Sequence, residues 1–406
     1  MTRRAVFGPH GWITWTCLAA PFYAIACVVA EGGLATVRPW GDVGQYERYG
    51  RLVLDGAFPY HDFYLEYPPG ALPSFIAPAL LTDGHSHYLW LFKLLMALCG
   101  LAALALMART LVALHADSAR FALALGAFAV APVALGHIFL NRFDAWPGLL
   151  TVLGLTTLLG GRELAAAGTL ALDFATKVFA VALAPVVAIR IWRTKGALRC
   201  RQAAVSFAVV SVLIFSSFLV VAFGGLGNSY YTQLKRALQI ESMASSLLLV
   251  LDRLGIHHVA ITTNSPGSID LGGTLPDVLG SLTTLVQIAA IALVAVVYWR
   301  GEETAERLVT AFTASVAAFA LFGKVLSPQF LIWLAPLVPL VAGRRGRLAT
   351  FAFLVALVLT QVEQHGFVGL GIKSWDIWLL LVRNAVLVAM FGLLVSSLSA
   401  RATDSR

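Results

Sequence analysis

The chain has 406 residues and a formal charge of +8, and 59% of its residues are hydrophobic while only 12% are charged, against roughly 25% charged in an ordinary soluble domain. So few charges exclude a water-facing globular surface. The Lys and Arg residues sit in short loops between apolar runs, which excludes a single basic face for nucleic acid.

In chain order, Arg3 and Arg4 precede an apolar run from Trp12 to Ala30. That run exceeds the roughly 7 to 15 residues of a signal-peptide core, so an uncleaved first helix with a cytoplasmic start is expected. It delivers a polar segment, Leu34 to Gly70, to the outer face. The run Ala71 to Leu81 is too short to span, and counting it as a span would turn Arg162 and the basic stretch Arg190 to Arg201 outward. It reads as a partly inserted helix within a first outer loop, residues 34–87.

Spans Tyr88 to Ala113, Phe121 to Phe139 and Ala145 to Gly160 follow. Leu164 to Ile189 is apolar apart from Asp173, Thr176 and Lys177 and has basic flanks, a combination that a re-entrant hairpin satisfies. Ala203 to Phe223 leads to a second large outer loop, residues 224–274. Leu275 to Trp299, Leu308 to Phe322, Phe330 to Ala342, Leu348 to Val362 and Ile377 to Leu398 complete the chain. The expected architecture is an all-α, polytopic transmembrane bundle: one membrane-embedded domain over residues 1–406, about ten full spans, short re-entrant or half-inserted helices, and both termini cytoplasmic. The cysteines Cys17, Cys27, Cys99 and Cys200 have no paired spacing and are read as reduced.

On this map the unusual polar residues gather on the outer side: Asp42, Tyr46, Glu47, Glu66, Tyr67, Asn141, Arg142, Asp144, Arg236, Glu241, Lys324, Gln329 and His365. Ionisable groups at membrane depth cost about 2.5 to 3.5 kcal/mol each on insertion scales, so their convergence predicts a one-sided polar cavity. The plain alternative is loops that simply face water. Gly41-Asp42-Val43-Gly44-Gln45-Tyr46 places a lone carboxylate near the end of the first helix, where it would serve as a general base for hydroxyl chemistry or, more plainly, as a turn or helix-cap residue. In Tyr64-Leu65-Glu66-Tyr67-Pro68-Pro69-Gly70 two prolines fix an extended entry to a helix. Lys324 to Pro336 puts a cation and the amide of Gln329 at an outer helix start, which suits a phosphate.

Four features in this order resemble the C-class membrane glycosyltransferases that use polyprenyl-phosphate sugars, and within them glycosyltransferase family 87, whose characterised members are mannosyltransferases. They are Asp42 with Tyr46, the turn Tyr67 to Pro69, the short hairpin with Lys177, and the segment Ser327 to Phe330. An arginine followed by Gln-x-Glu-Ser is matched by Arg236, Gln239, Glu241 and Ser242. The chain departs from the pattern at Phe179, where the family has a proline two residues after the lysine.

The resemblance implies a sugar carried on a polyprenyl phosphate, an acceptor hydroxyl of a glycolipid or glycan at the outer face, and inversion at the anomeric carbon. Asp42 would take the acceptor proton. Arg236, Lys324, Gln329 and Lys177 would face the donor phosphate, and Tyr46, Glu66, Tyr67, Arg142 and Glu241 would contact the sugar or acceptor. For Lys177 the competing reading is a lysine that snorkels to the interface or pairs with Asp173. Asp144, close to Arg142, reads equally as half of a structural ion pair. No carboxylate pair of the kind that holds a metal for nucleotide sugars stands beside Asp42, and His257 and His258 lack a ligand spacing, so no cofactor and no metal is expected. Membrane lipids are the expected surroundings, and the composition suits a bacterial plasma membrane. The rival classes are a secondary transporter, which predicts polar residues open to both sides and repeat symmetry, and a lipid-linked sugar flippase, for which Asp42 would be dispensable.

Overall fold

The computed structural model describes residues 10–32, 42–263, 268–367 and 374–399. The backbone is helical nearly throughout. Helix α1 (Gly11–Gly32) is followed at one end of the bundle by α2 (Val43–Leu54) and α3 (Leu72–Ala79); α4 (His85–Ala113) then runs to the other end. Helix α5 (Ser118–Leu135) returns through the short α6 (Ile138–Asn141), and α7 (Ala145–Leu159) and α8 (Glu163–Thr176) form a tight pair. Next come α9 (Ala184–Val221), α10 (Phe223–Lys235) and α11 (Met243–Arg253), then α12 (Thr274–Arg300), α13 (Ala305–Phe322), α14 (Phe330–Leu334), α15 (Gly343–Phe367) and α16 (Ser374–Ser399). The small sheet, β1 (Leu238–Gln239), β2 (Ala260–Thr262) and β3 (Asp270–Gly272), is antiparallel in the order β1-β3-β2.

Among the described residues eight segments are long and apolar enough to cross a membrane. The expected bundle is there, with two of its anticipated spans shortened. Ala145 to Gly160 is the 15-residue α7. Phe330 to Ala342 breaks after five helical residues, because Pro336 and Pro339 cannot continue the hydrogen-bond ladder. Helix α13 is packed on nearly all sides and forms the centre, whereas α9 and α12 turn most of their apolar side chains outward. Exposed Val205, Val209, Val212, Leu213, Leu285 and Val286 would be an aggregation hazard in water and are ordinary in hydrocarbon.

Chain direction places α2, α3, α10, α11 and the sheet at one end, the site end. The opposite end is tied by arginines. Arg109 lies over the Trp12 ring at 5.5 Å, Arg120 binds Glu306 at 2.5 Å and the Leu340 carbonyl at 2.6 Å, and Arg190 binds Glu303 at 2.6 Å. Arg307 bonds the Leu398 carbonyl, which brings the start of α13 beside the end of α16. The described ends of α1 and α16 therefore share that opposite end.

The segment anticipated as a re-entrant hairpin, Leu164 to Ile189, folds as α8, a 3-10 turn and the start of α9. Helix α8 climbs to Lys177, a 3-10 turn (Val178–Leu183) and the first part of α9 descend, and the chain turns at Gly196, whose φ of 82° suits a residue without Cβ. The rest of α9 climbs beside α8: Ser206 donates to the Leu164 carbonyl at 2.9 Å and Phe174 lies 6.3 Å from Phe215. At about 1.5 Å per residue, α7 and α8 are only about 22 Å and 21 Å long against a hydrocarbon core of about 30 Å. Their site-end termini, Asp144 and Lys177, face each other at the top of this pair, with Asp144 fully buried.

Candidate active site

Asp42 occupies the N-cap position of α2, yet its side chain makes no cap bond. Three donors converge instead on one carboxylate oxygen, Oδ2: Tyr46 Oη at 3.3 Å, Tyr67 Oη at 3.2 Å and the Arg142 guanidinium. Among the described residues no hydrogen bond reaches Oδ1, and the side chain keeps 28% of its surface exposed. A part-exposed carboxylate held by one oxygen, with no donor on the other among the described residues, has the form of a proton acceptor.

Each of the three donors is placed by its own element. Tyr46 lies on the buried face of the amphipathic α2, stacked on Phe75 at 4.5 Å and edge-on to Phe143 at 5.6 Å. Tyr67 meets Phe143 at 4.9 Å, and its carbonyl accepts a 2.6 Å bond from Tyr60. The turn that carries Tyr67 is anchored at Gly70, whose carbonyl accepts from Trp146 at 3.2 Å and from Thr176 at 3.1 Å. A Cβ at Gly70 would lie 2.7 Å from the Ala175 carbonyl group. Gly70→Val therefore pushes this turn off the end of α8 and is expected to cost about 1 to 3 kcal/mol, read as a lower thermal midpoint of the purified protein.

Below this layer Lys177 pairs with Asp144 at 2.5 Å, not with Asp173, which instead accepts from Thr151 at 2.7 Å. Lys177 has left the helix, with φ −157° and ψ 129°, so its side chain no longer follows the face of α8. The rings of Phe143 (4.5 Å), Trp333 (5.0 Å) and Phe330 (5.7 Å) surround its ammonium. Trp333 also donates to Asp144 at 2.7 Å, and Phe179 stacks on Trp333 at 4.0 Å. The phenylalanine that stands where the family pattern has proline thus packs the indole that holds Asp144.

A second group lies over the first. Glu66 Oε1 accepts from Gln233 at 3.2 Å and stands 3.9 Å from Arg236, and Arg236 donates to Gln233 at 3.2 Å. Lys324 donates to the Leu234 carbonyl at 2.5 Å and has no carboxylate partner among the described residues. Burial, then the nearby Arg236 and Lys235, hold its amine below the usual lysine range. The Gln329 side chain bonds Ser327 next to it. Glu241 stands apart, its carboxylate held by Gln239 at 3.0 Å and Gln364 at 2.7 Å. Gln239 also joins β1 to the 324–326 segment, bonding Leu326 N at 2.8 Å.

The geometry therefore brings Asp42, Tyr46, Tyr67 and Arg142 together, and it sets Glu66, Arg236 and Lys324 side by side. It commits Lys177 to Asp144. The side chain of His365 lies outside the described residues. Sequence reasoning did not single out Phe143 or Trp333, since an aromatic in an apolar run carries no signal of its own.

The profile of glycosyltransferase family 87 matches residues 64–328, well over half of the chain. Tyr67, Arg142, Lys177, Arg236, Glu241 and Lys324 fall inside that range, while Asp42, Tyr46 and Gln329 fall outside it. No curated protein matches. Two solved structures of ArnT from Cupriavidus metallidurans share the fold, one bound to undecaprenyl phosphate and one in the apo state. Each has a TM-score of 0.52 and 14% sequence identity; they cover 96% and 97% of this chain and 77% and 78% of their own.

Proposed function

The chain belongs to glycosyltransferase family 87, and from that membership we propose that it moves a sugar, mannose by family default, from a polyprenyl phosphate to a hydroxyl of a glycolipid or glycan. The observation that carries the reading is the one-sided Asp42 carboxylate, with three donors on Oδ2 and, among the described residues, none on Oδ1, beside the rings of Tyr46, Tyr67 and Phe143.

In the proposed step the acceptor hydroxyl gives its proton to Asp42 Oδ1 as its oxygen bonds the anomeric carbon. The bond from that carbon to the phosphate oxygen breaks on the opposite face, and polyprenyl phosphate leaves with the electron pair. The configuration inverts. Phosphate is a competent leaving group without a general acid, so the remaining need is for cations to receive its charge. Arg236 and Lys324 suit this role best, since the nearest carboxylate to Arg236 is 3.9 Å away and Lys324 has none among the described residues. Tyr46, Tyr67 and Arg142 orient the base, and Glu66 and Glu241 are proposed acceptor or sugar contacts. Gln329 is assigned to the phosphate side with Lys324.

One of the two ArnT structures has undecaprenyl phosphate bound to a protein of this fold, and here an apolar cavity of about 340 Å³ lies between α8, α9 and α10, lined by Phe174, Phe215, Leu219, Phe223, Leu226, Gly227 and Tyr230. Ser229, the residue before the lining Tyr230, bonds the carbonyls of Leu65 at 2.8 Å and Glu66 at 3.3 Å. A prenyl tail in this groove would bring its phosphate toward Glu66 and Arg236. A Cβ at Gly227 meets no atom within 4 Å, so Gly227→Phe fills the groove without disturbing the backbone. It is expected to raise KM for a long-chain donor about tenfold, about 1.4 kcal/mol, while leaving a short-prenyl donor unaffected.

The basic residues Arg120, Arg190, Arg193, Arg199 and Arg345 at the opposite end support a cytoplasmic assignment for that end and an extracytoplasmic site. Metal independence is part of the proposal: excess EDTA is expected to leave transfer unchanged. The direct test supplies the purified protein in nanodiscs with radiolabelled polyprenyl-phosphate mannose, glucose or arabinose and an extracted glycolipid pool. Label in the glycolipid fraction from one donor supports the reading and names the sugar; label from none of them rejects it.

A further inference from the structure

Behind Glu241 lies a buried charged pair that the transfer step leaves unused. Arg383 on α16 and Glu363 on α15 are both fully buried, with 3.4 Å between Nε and Oε2. Two such charges between apolar helices are costly, and an apolar pair of similar volume would pack there without that cost. Among the described residues neither oxygen of Glu363 has a hydrogen-bond partner, and Arg383 leaves Nε and Nη1 without one. The pair is not built to stabilise α15 against α16.

Its hydrogen bonds point to the loop instead. Arg383 Nη2 donates to the Glu241 carbonyl at 2.8 Å, and Asn384 donates to the carbonyls of Glu241 at 3.3 Å and Ser242 at 3.2 Å. Gln364, next to Glu363, donates to Glu241 Oε1 at 2.7 Å. Side chains of both helices thus clamp one residue, backbone and carboxylate together. The charged groups acting on that carboxylate are Glu363 from α15, Arg383 from α16 and Arg142 from the link between α6 and α7; Asp376 acts in turn on Glu363. Arg142 is the residue that grips Asp42.

We propose that Arg383 and Glu363 are positioning residues for sugar transfer: Arg383, together with Gln364 and Asn384, holds Glu241 in place for the acceptor, and the Arg383–Glu363 pair sets the charge on that carboxylate. The proposal rests on the function argued above.

The charge on Glu241 is finely balanced. Burial first, and Glu363 second, push its carboxyl well above the usual carboxylate range, while Arg383 and Arg142 pull it back. As pH falls the carboxyl takes up a proton, and Glu241 can no longer meet an acceptor hydroxyl as an anion. Removing the cation of Arg383 raises the pH at which this happens; removing the charge of Glu363 lowers it. A neighbouring charge moves a carboxyl by about one to three pH units.

The test compares wild type, Arg383→Gln, Arg383→Lys and Glu363→Gln in nanodiscs. The acid limb of the kcat profile is expected to move up by about one pH unit in Arg383→Gln and down by about one in Glu363→Gln, with Arg383→Lys restoring the wild-type limb. In parallel, infrared titration of the substrate-free protein follows the protonated carboxyl band that Glu241→Gln abolishes, and that band is expected to move in the same two directions. A merely structural pair would lower activity in both variants and move neither limb nor band, and this outcome overturns the proposal even with an active wild type. The infrared titration needs no turnover, so a wild type inert toward every donor identifies a failure of the function itself. Should Arg383→Gln fail to fold, the downward movement in Glu363→Gln decides alone.

Discussion

Asp42→Asn is expected to slow sugar transfer about a thousandfold, in the middle of the 10²- to 10⁴-fold range of a positioned base. The substitution is nearly isosteric. Its amide oxygen still accepts from Tyr46 and Tyr67, so the aromatic layer of Tyr46, Phe75 and Phe143 stays in place. What disappears is the basic oxygen on the open side and the charge facing Arg142. A part-exposed ion pair contributes on the order of 1 kcal/mol or less, so the thermal midpoint is expected to change little and donor binding to stay within about twofold. A variant that keeps a tenth of wild-type activity or more would move the base to Glu66 or Glu241.

Lys177→Met is expected to damage the fold more than any other change around Asp42 and Asp144. Asp144 has 1% of its side chain exposed, and once its cation is removed Trp333 Nε1 is its remaining hydrogen-bond donor among the described residues. Breaking one partner of a buried pair costs about 3 to 5 kcal/mol, whereas neutralising both costs far less. Lys177→Met should therefore extract poorly and unfold early, and Lys177→Met with Asp144→Asn should recover most of the loss, since the amide oxygen of Asn still accepts from Trp333. The double variant also separates two roles for the lysine. Recovered folding with transfer retained makes the pair structural; recovered folding without transfer places Lys177 against the donor phosphate.

That pairing shows where sequence reasoning stops. Asp173 stands four residues before Lys177, the spacing of a helical ion pair, and Asp144 is 33 residues away. The chain leaves the helix at Lys177, so the i,i+4 geometry with Asp173, which bonds Thr151 instead, is lost, and Asp144 at the start of the antiparallel neighbour α7 is in reach. The spans themselves were legible from hydropathy, except where a short buried helix or a proline-broken segment does not need full length. The grouping of Asp42, Tyr46 and Tyr67 was legible too, because α2 puts residues four apart on one face and the proline turn is rigid. Arg383 and Glu363 went unnoticed, since a lone charge in an apolar run does not announce its partner across a helical hairpin.

The measurement that bears most directly on the whole account follows both products from one radiolabelled polyprenyl-phosphate sugar, with wild type and Asp42→Asn in nanodiscs. Wild type is expected to release polyprenyl phosphate in step with a glycoside of inverted anomeric configuration, and Asp42→Asn, folded and still binding donor, to release almost none. A glycoside of retained configuration, or equal release by the two proteins, would contradict this expectation.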